Sequence, residues 1–175
     1  MAAILEVSGL KKNYDTFSLQ DVSFSIEEDC ITGFIGINGA GKTTTIHSIL
    51  NLIHRDAGTI KFRGKDISAN EKQFKDKIGV VFDSGCFYDE LSIKDMTAII
   101  SPSYSNWDNR IFQKYLERFS LRKEQTVGTL SKGMKMKYSL ALALSHNAEL
   151  LIMDEPTSGL DPLMREQFIS ILKEY

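Results

Sequence analysis

Gly36-Ile37-Asn38-Gly39-Ala40-Gly41-Lys42-Thr43 fits the spacing G-x-x-x-x-G-K-[ST] and stands between a nearly continuous apolar run, residues 31–35, and a helical pattern over residues 43–53. Composition alone would generate the four fixed positions in roughly one chain of this length per hundred or more. A strand before the loop and a helix after it make the match stronger than the pattern alone. Such a loop cradles phosphate oxygens with backbone N–H groups at a helix N-terminus, where the macrodipole adds positive potential. Gly36, Gly39 and Gly41 are expected because a Cβ would hold the backbone away from the phosphates; Asn38, Ala40 and Thr44 complete the binding stretch. Lys42 is expected to reach the β- and γ-phosphates, and the Thr43 hydroxyl to bind Mg²⁺.

Outward from the loop, periodicity segments the chain. Residues 4–7 and 17–26 alternate apolar and polar, as strands with one buried face do, and residues 59–62 are a third candidate. Residues 31–35, 78–82 and 150–153 are almost uninterrupted in apolar character, which predicts strands covered on both faces in a parallel sheet. Helical spacing runs through Ile46, Ile49, Leu50 and Ile53, and again through Ile111, Phe112, Tyr115, Leu116 and Phe119. Residues 134–145 alternate with period two, yet their length, their Ala, Leu, Met and Lys content and Ser131 as an N-cap predict a helix. Beyond Pro162, Met164, Phe168 and Leu172 line a last helix. The expected fold is α/β: a P-loop NTPase with a mostly parallel core sheet, an N-terminal antiparallel β-subdomain and an inserted helical subdomain. No strand follows the last helix, so the sequence reads as cut short at its C-terminus.

The second chemical element is Leu150-Leu151-Ile152-Met153-Asp154-Glu155, a buried strand ending in two carboxylates. At the carboxyl end of a parallel strand they face the crevice where such sheets bind ligands. Asp154 is expected to hold Mg²⁺, and Glu155 to polarise a water for attack on the γ-phosphate.

The chain has 175 residues with 21 Lys+Arg against 23 Asp+Glu, a net charge of −2 that argues against nucleic acid as a partner. With 42% apolar and 25% charged residues it has the composition of an ordinary globular domain. Cys30 and Cys86 stand apart from any metal-binding spacing and read as reduced thiols. Apolar runs such as residues 141–144 are far below the ~20 residues needed to cross a bilayer.

Together these residues resemble the nucleotide-binding subunit of an ABC transporter, over essentially the whole chain. Leu130-Ser131-Lys132-Gly133-Met134 looks like the family signature, usually Leu-Ser-Gly-Gly-Gln, and Ser158-Gly159-Leu160-Asp161 looks like the D-loop. The resemblance implies ATP and Mg²⁺ as cofactors, with Ser131 and Gly133 binding the γ-phosphate held by a second nucleotide-binding subunit, identical or different. It implies Tyr14 as the aromatic that stacks on adenine. Asp83 stands where the family usually has a glutamine and is expected at the metal and the attacking water, as a catalytic and metal-binding residue beside Lys42 and Glu155. No histidine matches the family's switch position; His47, His54 and His146 read as structural, with His146 a cation suited to a helix C-terminus.

The resemblance also implies integral membrane permease subunits as partners, and a peripheral place on the cytoplasmic face of a bacterial membrane. Residues 1–83 and 146–175 are expected to form the nucleotide-binding core, and residues 84–145 the helical lobe. Phe87 and Tyr88 are the expected exposed contacts of that lobe. Two other functions fit the same motifs: a soluble ABC ATPase outside transport, and an ATP-sensing module with little turnover.

Overall fold

The computed structural model describes residues 3–82, 86–158 and 161–174, apart from the Leu163 side chain. Asp83, Gly159 and Leu160 therefore lie outside the described residues. Two compact units divide the chain, Met1–Lys75 and Asp76–Tyr175.

In the first unit, β1 (Ala3–Asn13) pairs antiparallel with β2 (Ser18–Glu27) and β3 (Ala57–Phe62), and β3 with the short β4 (Lys65–Asp66), in the order β2-β1-β3-β4. Leu5, Val7 and Leu10 are all buried, although Val7 and Leu10 are an odd number of residues apart. A register shift between Val7 and Leu10, with Gly9 at φ +61°, restores Leu10 to the buried face. The core is completed by Ile60, Phe62 and Phe74 of α2 (Glu71–Asp76), with the Phe62 and Phe74 rings edge to face at 5.3 Å. Each such fully buried side chain contributes about 1.5–3 kcal/mol.

Two expectations are corrected in this unit. Residues 31–35 form no strand: they lie outside every ladder of the described residues, and Ile31 is 75% and Ile35 95% exposed. A run of apolar residues becomes a buried strand only when neighbours pair with it on both sides, and none does here. The helix expected over 43–53 is α1 (Lys42–Ile49) and stops at Leu50. Asn51 turns left-handed (φ +55°), its N–H donates to Ser48 O and the Leu52 N–H donates to His47 O, a Schellman closure that Ile53 lies beyond.

The second unit contains the parallel pair β5 (Ile78–Phe82) and β6 (Leu150–Asp154), in register from Ile78↔Leu150 to Phe82↔Asp154. Between them run α3 (Ile93–Ile100), α4 (Asn109–Arg118) and α5 (Lys132–Leu144); α6 (Pro162–Glu174) follows. The expected helix at 134–145 is α5, and its ambiguous pattern has a physical cause. Tyr138 to Leu144 are all buried, so α5 is a central helix packed on every side and carries no amphipathic stripe. The Tyr138 hydroxyl is satisfied inside this core by Thr97 at 3.0 Å.

Asp108 caps α4, accepting from the Arg110 and Ile111 N–H groups, and the Arg118 guanidinium grips Glu174 of α6 with two 2.8 Å bonds. Of the two aromatics expected at the lobe surface, Tyr88 is 64% exposed. Phe87 instead packs inward on Tyr138, ring centroids 4.9 Å apart, because an apolar ring next to that core gains more from burial than from water. His146 is no helix-capping cation: it is fully buried, stacked face to face on Tyr104 at 3.7 Å, and burial pushes its basicity down.

Candidate functional site

The loop expected to cradle phosphate lies in the first unit and ends in α1. Gly41 is the residue before the helix and takes φ +90°, a left-handed conformation that costs a non-glycine residue about 1–2 kcal/mol. An added Cβ there would sit 2.8 Å from Leu19 Cδ1 and 2.9 Å from Phe17 Cζ. The ends of Leu19 and Phe17 would have to shift to admit it, so Gly41 is favoured by its left-handed backbone first, a reason beyond close approach to phosphate. Among the described residues the start of α1 has no side-chain cap, and its first turn carries no acidic residue. Its first N–H groups therefore keep the donor capacity and positive potential that suit an anion. Lys42 adds a charge at this point; its ammonium donates to the carbonyl oxygens of Gly36 at 2.8 Å and Ile37 at 3.2 Å, folded back onto the loop. The Ala40 N–H donates to Ile37 O at 3.1 Å, closing the turn that carries Asn38 and Gly39. Thr43 is exposed and Thr44 half-buried, while Thr45 is buried with its hydroxyl donating to Gly41 O.

Tyr14 belongs to the same unit and reaches the loop through Phe17. The Tyr14 N–H donates to Phe17 O at 2.8 Å, the two rings are 6.4 Å apart, and Phe17 in turn lies against Gly41. Tyr14 remains 47% exposed, a flat aromatic surface beside a phosphate-type loop. Phe17 and Leu19, which hold this arrangement, carried no functional signal in the sequence beyond strand alternation.

The carboxylates belong to the second unit. Asp154 is the last residue of β6, half-buried and opposite Phe82 in the ladder. Glu155 is exposed and takes φ +47°, so β6 is followed by a left-handed non-glycine residue whose carbonyl accepts from the Ser158 N–H at 3.0 Å. Ser131 begins α5 as expected: its hydroxyl accepts from the Met134 N–H at 3.2 Å, with Gly133 in the first turn. Asp161 accepts from the Met164 N–H at 2.9 Å and so caps α6.

With this geometry in place, the comparisons with known proteins are specific. The family model described as ABC transporter matches residues 19–158. The chain belongs to the ABC transporter family. The bacitracin transport ATP-binding protein BcrA of Bacillus licheniformis is 35% identical over 181 residues, covering 99% of this chain and 59% of that protein. The Nod factor export ATP-binding protein I of Burkholderia orbicola (strain AU 1054) is 32% identical, covering 97% of this chain and 59% of that one. A solved ATP-binding subunit of an ABC transporter superposes with a TM-score of 0.86 at 28% identity, over 98% of this chain and 74% of that one. The ABC fold is therefore that of this chain, and the chain spans about 59% of the length of these curated relatives.

Proposed function

We propose that the chain carries the nucleotide-binding machinery of an ABC transporter's ATP-hydrolysing motor subunit. The carrying observation is the uncapped start of α1, fed by a glycine loop and bearing the Lys42 ammonium: donors and positive charge that suit a polyphosphate. ATP brings a triphosphate whose charge these donors neutralise, and Mg²⁺ supplies Lewis-acid polarisation of the transferred phosphoryl. Gly36, Asn38, Gly39, Ala40, Gly41 and Thr44 line the cradle and Lys42 binds the terminal phosphates; Thr43 is the residue of the first unit that would hold the metal, and Asp154 that of the second. Glu155 accepts a proton from water, Tyr14 stacks on the base, and Asp83 occupies the position expected to meet the metal shell.

Two copies, or this chain and a related one, close around ATP, each offering Ser131 and Gly133 to its partner. Residues 1–83 and 146–175 serve as the core and 84–145 as the lobe that meets separate membrane permeases, with Tyr88 on its exposed surface. The relatives' names, bacitracin transport and Nod factor export, support a transport role, and the second of them supports outward transport from the cytoplasmic face of a bacterial membrane. No helix among the described residues is long and apolar enough to cross a membrane, so a peripheral position fits.

Steady-state phosphate release from Mg·ATP, measured across protein concentrations, tests the proposal. We expect a rate that rises more than linearly with protein, and a loss of at least about a hundredfold in Glu155→Gln with ATP binding retained. A rate strictly linear in protein, or a fully active Glu155→Gln, contradicts it.

A further inference from the structure

One face of Tyr14 is already occupied. The Lys12 ammonium lies 5.5 Å from the Tyr14 ring centroid, within cation–π range, while the ring stays 47% exposed. Lys12 is itself held. Its Nζ donates to Asp56 Oδ1 at 3.0 Å, the other Asp56 oxygen accepts from the Asn13 N–H at 2.7 Å, and the Asp56 N–H donates to Lys11 O at 2.9 Å. These three bonds tie the end of β1 to the start of β3, immediately before the turn that carries Tyr14. The Asn13 N–H first, and then Lys12, hold the Asp56 carboxyl below the usual carboxylate range, so the tether is charged at neutral pH. With side chains 18% and 35% exposed the pair lies at the surface, where the ion pair itself contributes little, and it is the bond from the Asn13 N–H that fixes the carboxylate in place.

We propose that Lys12, tethered by Asp56, is a positioning residue for Tyr14: it sits behind the ring and presents the opposite face to the base of a nucleoside triphosphate. The proposal rests on Tyr14 as the base-stacking residue. An ammonium on one face draws π density towards itself and restricts the ring's rotation, so a purine meets a polarised surface already in position. The contribution concerns the nucleoside alone, which separates it from the phosphate-binding work of Lys42.

The test compares two probes on the full 175-residue chain by calorimetric titration: an ATP analogue with an imido bridge between its β- and γ-phosphates, and inorganic tripolyphosphate, both with Mg²⁺. Tyr14→Ala is expected to weaken the analogue about tenfold and leave tripolyphosphate unchanged. Lys12→Met is expected to weaken the analogue about threefold with tripolyphosphate again unchanged, Asp56→Ala to do the same, and Lys12→Arg to retain wild-type affinity. If Lys12→Met matches wild type on the analogue while Tyr14→Ala does not, the positioning role is overturned and the stacking role stands. If Lys12→Met weakens both probes equally, Lys12 acts on phosphate or on folding and the proposal fails. If Tyr14→Ala binds the analogue as wild type does, the stacking reading itself falls, and the positioning role with it.

Discussion

Glu155 is exposed and left-handed, directly after a half-buried aspartate at a strand end. A non-glycine residue in this conformation carries backbone strain, and such strain gathers at sites of function. Glu155→Gly is therefore expected to raise the unfolding free energy by about 1 kcal/mol while abolishing turnover. Denaturant unfolding and phosphate release, measured side by side, check both halves; a destabilised Glu155→Gly removes strain as the explanation. The acidity of Asp154 and Glu155 was legible in the sequence, but the bend between them was not, because it depends on how β6 stops.

At the scale of elements, β5 and α5 meet where Gly79 has no side chain. An added Cβ there would sit 2.5 Å from Leu151 Cδ2 and 2.8 Å from Ala143 Cβ. Gly79→Ala is expected to cost about 1–3 kcal/mol, because the neighbours are a helix and a strand of the same core and cannot both retreat. A melting temperature equal to wild type would contradict this. Elements whose partners lie close in sequence, such as β1 with β2, were readable from alternation. So was α5, through its length and its Ser131 cap rather than its periodicity. Residues 31–35 misled because apolarity reports what a segment would bury, not which strands are present to bury it. The early end of α1 turns on Asn51 adopting a left-handed conformation, a choice that Gly would have announced and Asn only allows.

On the scale of the whole molecule, His146 ties stability to pH. It is fully buried, neither ring nitrogen has a partner in hydrogen-bond geometry among the described residues, and Tyr104 covers its face. Burial lowers its pKa from 6.5; the Asp76 carboxylate and nearby backbone carbonyls pull the other way, and Lys77 adds to the lowering. The unfolded chain therefore binds a proton more readily than the folded one. Stability is full above about 6.5 and declines as pH falls through that value towards the lower folded pKa. Asp76, held low by the Ser105 hydroxyl and N–H, loses its own contribution only as pH falls through and below 3.8, so the two effects separate. Unfolding free energy measured between about pH 5 and 7 is expected to rise with pH in the wild type and to be flat in His146→Phe. A wild-type chain with no slope in this range would show that the ring protonates without cost.

Family membership was already present in the spacing of Gly36–Thr43, Ser131–Gly133 and Asp154–Glu155, since each motif answers to local backbone geometry. The surroundings of the loop and of Tyr14, Phe17 and Leu19 behind Gly41 and Asp56 bonded to Lys12, were not, since each depends on strands meeting across the sheet.

The most direct test of nucleotide binding at the loop is a titration of Mg·ATP into wild type and Lys42→Ala. Loss of a charged donor to the terminal phosphates is expected to weaken binding by about tenfold to a hundredfold. Equal affinities in the two proteins would contradict the assignment of the Gly36–Thr43 loop as the place where ATP is held.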